Sequence, residues 1–99
     1  MFDLAPYREA IGRVCAELRV RSLALVGSAA RADFDPARSD VDLLVEFDGR
    51  DRLFDRYFGL KQHLERSMGR TVDLIEPAAV RNPIVKQHLQ RRKVLLYGT

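Results

Sequence analysis

The 99-residue sequence predicts a single α/β domain spanning residues 1–99, a small central β-sheet with helices packed against it. Three observations carry that expectation. The chain is long enough for one hydrophobic core and too short for two. Its composition, 46% hydrophobic and 31% charged, is that of a globular domain and not of a disordered chain. Segments with helical spacing alternate with short apolar runs of strand length, in the order helix, strand, turn-helix, strand, helix, strand, helix, strand.

Tyr7, Ile11, Val14, Cys15 and Leu18 recur at the 3, 4 and 7 spacing of an amphipathic helix, with Asp3 placed to cap it and Pro6 tolerated in its first turn. Residues 22–26 (SLALV) form a strand stopped by Gly27, because so brief an apolar run before a glycine is too short for a helix. Gly27-Ser28 is a turn and Ala29-Ala30-Arg31 opens a helical piece, while Pro36 makes residues 33–36 a loop. Residues 41–47 (VDLLVEF) form a second strand. Its period of two places Val41, Leu43, Val45 and Phe47 on one face and Asp40, Asp42, Leu44 and Glu46 on the other. Asp48-Gly49 turns the chain into the longest helix, 51–68, carried by Leu53, Tyr57, Leu60, Leu64 and Met68 and capped by Gly69. Residues 71–75 (TVDLI) form a third strand. Asn82-Pro83 opens a helix reaching about Gln90, and residues 94–97 form an edge strand.

No apolar run approaches the roughly 20 residues that span a bilayer, and the acidic Asp3 and Glu9 do not fit a secretion signal. A cytoplasmic protein without a membrane partner is expected. Cys15 is the sole cysteine, so it reads as a core residue, and with the distant His63 and His88 it makes no zinc site. The net charge of +3 is unevenly spread, from −2 over residues 1–50 to +5 over residues 51–99. After Glu76 there are no acids, only Arg81, Lys86, Arg91, Arg92 and Lys93. That end suits an anion, either a phosphate-bearing ligand or an acidic surface, or is a solvated helix face.

Asp40, Asp42 and Asp73 interrupt otherwise apolar strands. At about 3.3 Å per residue, Asp40 and Asp42 leave the same face with backbones roughly 6.6 Å apart. Two like charges about 4 Å apart repel by roughly 4 kcal/mol at an effective dielectric near 20, so such a cluster needs arginines or a hard cation such as Mg²⁺. Two such ions can hold the attacking and leaving oxygens of a phosphoryl displacement. Gly27-Ser28 supplies a phosphate end: the glycine allows close backbone approach, and the serine offers a hydroxyl and an amide.

Gly27-Ser28-Ala29-Ala30-Arg31 followed by Ser39-Asp40-Val41-Asp42-Leu43-Leu44-Val45 resembles the Gly-Ser…Asp-x-Asp signature of the DNA polymerase beta nucleotidyltransferase superfamily. The short length points to its minimal nucleotidyltransferase (MNT) branch, and the resemblance covers nearly the whole chain. It implies a nucleotidyltransferase-like α+β fold with a mixed sheet. It implies that Gly27 and Ser28, with Arg31 and Ser39 beside them, hold the phosphates of ATP. It also implies that Asp40, Asp42 and Asp73 hold two Mg²⁺ ions, Asp73 helping to deprotonate the acceptor. One departure is Ala32, where many members have glycine. Arg31 contacts phosphate or neutralises Asp40.

The resemblance further implies AMP transfer from ATP to a hydroxyl, such as a tyrosine, of a HEPN toxin, with this chain as the antitoxin of a toxin-antitoxin pair. Two other readings stand beside it: a catalytically silent module that neutralises its partner by occlusion, and a nucleic-acid-binding protein using Arg81 to Lys93. His63 and His88 read as surface or packing residues, and Tyr57 and Phe58 as core or interface aromatics.

Overall fold

The computed structural model describes residues 3–30 and 40–98, with the side chains of Ser28 and Ala29 excepted. A four-stranded mixed sheet lies at its centre, in the spatial order β3-β2-β1-β4. Helix α1 (Arg8–Glu17) leads into β1 (Val20–Val26), and β2 (Val41–Phe47) leads into α2 (Leu53–Met68). Strand β3 (Val72–Ile75), α3 (Pro83–Arg92) and β4 (Val94–Gly98) complete the chain. Strand β1 runs antiparallel to both β2 and β4, whereas β2 and β3 are parallel, as a crossover through α2 requires.

The alternation in β2 sets the layers. Val41, Leu43 and Val45 are fully buried beside Leu23, Leu25, Val72 and Leu74, and α1 and α2 cover that face with Ile11, Val14, Cys15, Leu60, Leu64 and Met68. The opposite face carries Ala24 and Val26 from β1, Asp42, Leu44 and Glu46 from β2, and Asp73 from β3. Helix α3 meets the turn after β1, and its residues are otherwise largely exposed.

Several element ends follow from local chemistry. Asn82 caps α3, its Oδ1 accepting from the amides of Ile84 (2.9 Å) and Val85 (3.3 Å), with Pro83 in the first turn. Gly69 ends α2 in a left-handed conformation, its amide donating to the Glu65 carbonyl at 2.8 Å. Gly98 also has positive φ, and a Cβ there would overlap the Arg21 carbonyl, so β4 closes against β1 at a glycine.

The start of the chain differs from expectation. Asp3 accepts from the Ala5 amide at 3.1 Å and so caps a 3-10 turn, Ala5–Tyr7; α1 begins only at Arg8. Strand β1 begins two residues earlier than the apolar run suggests, because Arg19 adopts φ +54° and reverses the chain at once. Arg52 does the same before α2, which therefore starts at Leu53 and not at residue 51.

Both left-handed arginines are held by a third. Arg56 is only 5% exposed, and its guanidinium donates to the carbonyls of Leu18 (2.8 Å), Arg19 (2.8 Å), Asp48 (2.6 Å) and Asp51 (2.9 Å). It also lies 5.0 Å from the centre of the Phe47 ring. One buried cation thus ties the α1–β1 turn to the β2–α2 turn, satisfying carbonyls that no strand or helix reaches.

Candidate active site

The site begins with strand register. Val26, Asp42 and Asp73 form one row across β1, β2 and β3, with Asp42 opposite Val26 on one side and opposite Asp73 on the other. Neighbouring strands lie about 4.8 Å apart, so the parallel pairing brings two carboxyl groups together on the face away from the core. The two carboxyl groups are close enough for the charge of Asp73 to act on Asp42.

Burial raises the Asp42 carboxyl above the ordinary carboxylate range, and the charges of Asp73 and Asp40 push the same way. The dominant cause is lost hydration, with like-charge crowding second. Asp40 and Asp73 are exposed, whereas Asp42 is half-buried. Among the described residues, none of the three forms an ion pair with lysine or arginine.

Asp40 stands just before β2 and acts on Asp42 through its charge. Among the described residues, no three His, Cys, Asp or Glu side chains gather closely enough to hold a metal ion. Of the three carboxylates expected from sequence, Asp42 and Asp73 are paired across β2 and β3, and Asp40 adds its charge from the strand mouth. At the exposed strand mouth, water solvates Asp40 more cheaply than a third like charge could be packed in. The pair is a hard-oxygen donor set, which suits a divalent cation such as Mg²⁺.

Gly27 forms the opposing wall. It follows Val26 directly, takes φ +62°, and begins a short 3-10 turn, Gly27–Ala30. A Cβ at Gly27 would lie 2.7 Å from Asp42 Oδ2. Only glycine therefore lets the turn rest on the carboxylate. Beside the turn is a cavity of about 180 Å³ lined by Val26, Gly27, Ala30, His88, Leu89 and Arg92.

Of the residues expected from sequence, Gly27, Asp42 and Asp73 are brought together and Asp40 lies at the rim. Arg31 and Ser39 fall outside the described residues, as does the Ser28 side chain. His88, expected as a surface or packing residue, is exposed and also borders the cavity, as does Arg92. Tyr57 is half-buried and donates to the Leu74 carbonyl at 2.7 Å, while Phe58 is exposed beside it.

An acidic pair on two adjacent strands, β2 and β3, facing a glycine turn at the exit of β1 is an arrangement suited to phosphoryl transfer. Residues 7–97 match the family described as nucleotidyltransferase domain, and the chain belongs to that family. A proposed protein adenylyltransferase of Methanocaldococcus jannaschii is 40% identical over 73 residues, covering 73% of this chain and 72% of the relative. A second from the same organism is 37% identical over 73 residues, covering 73% and 71%. Among solved structures, a proposed minimal nucleotidyltransferase aligns with a TM-score of 0.73 and 31% identity, covering 88% of this chain and 86% of that one. The fold is also that of a toxin-antitoxin structure with AMP-PNP, at TM-score 0.70, 21% identity, and 94% and 74% coverage. A tri-AMPylated Shewanella oneidensis HEPN toxin in complex with an MNT antitoxin has a TM-score of 0.56 at 19% identity, with 93% and 73% coverage. The chain is accordingly an enzyme of the nucleotidyltransferase class with a minimal nucleotidyltransferase fold. Among the described residues, no helix is long and apolar enough to cross a membrane.

Proposed function

We propose that this chain is a protein adenylyltransferase that moves AMP from ATP to a hydroxyl, a tyrosine, of a HEPN toxin, and so serves as the antitoxin of a pair. The observation that carries the proposal is the Asp42–Asp73 carboxyl pair facing the Gly27 turn. The names of the Methanocaldococcus relatives and the fold shared with an MNT antitoxin bound to an AMPylated HEPN toxin support the acceptor.

In this reading the turn at Gly27 and Ser28, with Arg31 and Ser39, binds the phosphates and fixes the α-phosphorus over the strand ends. Magnesium bound there would be held by Asp42 and Asp73, with Asp40 the third carboxylate at the rim, and would supply charge neutralisation along the phosphates and ease ionisation of the acceptor. Asp73, exposed at the mouth, takes the acceptor's proton on its carboxylate. The acceptor oxygen forms a bond to the α-phosphorus as the bond to pyrophosphate breaks. Asp42, seated under Gly27, orients the reacting centre. The protein contributes positioning and electrostatics and forms no covalent intermediate.

The test is to incubate the chain with ATP, Mg²⁺ and its HEPN partner and to weigh the partner by mass spectrometry. The expected result is added AMP, lost with Asp42→Asn. Full neutralisation of the partner without added AMP would replace this proposal with occlusion by a silent binding module.

A further inference from the structure

The cavity beside Gly27 has two walls of different origin. One is the turn after β1, bare of side chain at Gly27 because a Cβ would collide with Asp42. The other is α3, which sends His88, Leu89 and Arg92 to the same space. His88 and Arg92 are four residues apart, and i,i+4 residues share one helix face. Both are exposed, and among the described residues neither has a hydrogen bond or ion-pair partner. No acid follows Glu76 in the sequence, so α3 brings no carboxylate to this wall. The space therefore has a cationic side and a main-chain side, and it adjoins the acidic pair without being lined by it.

We propose that His88 and Arg92 clamp the β,γ-diphosphate of the donor nucleotide against the Gly27 turn. This rests on the nucleotide-transfer reading and adds the residues that hold the leaving group. The chemistry is that of an anion with oxygens on two successive phosphorus atoms. Arg92 offers a planar fork of N–H donors that matches two phosphate oxygens, and His88 adds a ring N–H one helical turn away. Leu89 adds an apolar part to the same lining. The basic C-terminal segment is thereby divided: His88 and Arg92 turn inward to the nucleotide, while Arg81, Lys86 and Arg91 remain on the exposed surface.

The test is calorimetric titration of inorganic triphosphate into the full chain in Mg²⁺ buffer, with AMP as the control ligand lacking the outer phosphates. Arg92→Gln is expected to weaken triphosphate binding about tenfold or more, and Arg92→Lys to restore part of it. His88→Gln is expected to weaken it less, and AMP binding is expected to stay unchanged in all three. In transfer assays Arg92→Gln raises KM for ATP while kcat changes little, because the contact is made in ground and transition states alike. Thermal melts verify folding, which an exposed residue in the last turn of α3 does not threaten. Equal triphosphate binding by wild type and Arg92→Gln overturns the proposal, as does no triphosphate binding at all. Arg92-dependent binding of single-stranded RNA without triphosphate binding would assign this wall to nucleic acid and also overturn it. Arg92-dependent triphosphate binding without AMP transfer would remove the proposed function and leave the subsite. Transfer with an unchanged KM in Arg92→Gln would do the reverse.

Discussion

Gly27 rests directly on the carboxyl of Asp42, with no room for a Cβ between them. The contact couples the end of β1 to the acidic pair, and positive φ at Gly27 adds a conformational reason for glycine. Gly27→Ala is expected to destabilise the fold by about 1–3 kcal/mol through backbone strain and the collision with Asp42. Urea denaturation reads the first effect, and AMP transfer per folded molecule, expected to fall more than about tenfold, reads the displacement of the turn. An unchanged transfer rate in a folded variant would show that the turn does not position the reacting group.

Asp42→Asn is expected to abolish transfer while leaving the metal-free protein as stable as the wild type or more so. The sign follows from the raised pKa. A carboxyl raised in the folded state stabilises fully below its unfolded pKa, and that contribution is lost as pH rises through the folded value. The wild type therefore loses stability over that window relative to Asp42→Asn, which has nothing to ionise there. Urea midpoints of the two metal-free proteins, compared at steps from acid to neutral pH, check it. A lower midpoint for Asp42→Asn at neutral pH would make Asp42 a structural partner.

Arg56→Ala is expected to cost about 3–5 kcal/mol, because its four hydrogen bonds to main-chain carbonyls in two turns are lost together. Arg56→Lys recovers little, since an ammonium has three donors and no planar fork. Urea unfolding at neutral pH measures both.

Cys15 is wholly buried, and burial pushes its thiol pKa up to about 12. At neutral pH it should resist thiol-specific reagents in the folded chain and react promptly in denaturant. Fast labelling of the native protein would show that the α1 face opens on the timescale of the reaction.

Much of this molecule was legible from local patterns, because some residues dictate their surroundings. The alternation through residues 41–47 gives the two faces of β2, Asn82-Pro83 opens α3, and Gly69 ends α2. What was not legible depends on contacts distant in sequence. Arg19 and Arg52 take left-handed conformations with no glycine or asparagine to announce them, and the arginine that binds their turns lies 37 residues from Arg19. The acids at Asp42 and Asp73 stand out in sequence, but their pairing needs β2 and β3 to be neighbours in register. Arg92 carried only a signal of basic charge and His88 read as a surface or packing residue, since their place on the cavity depends on where α3 comes to rest.

The alignment of β2 with β3 has a consequence for quality control of the protein itself. Side chains alternate along a strand, so sliding β3 by one residue would send Asp73 into the apolar layer and turn Val72 or Leu74 outward. Burying a charge and exposing a valine or leucine are both costly, so the hydrophobic core acts as a proofreader of the acidic pair. A chain that pairs these strands wrongly forfeits its activity and its stability in the same event.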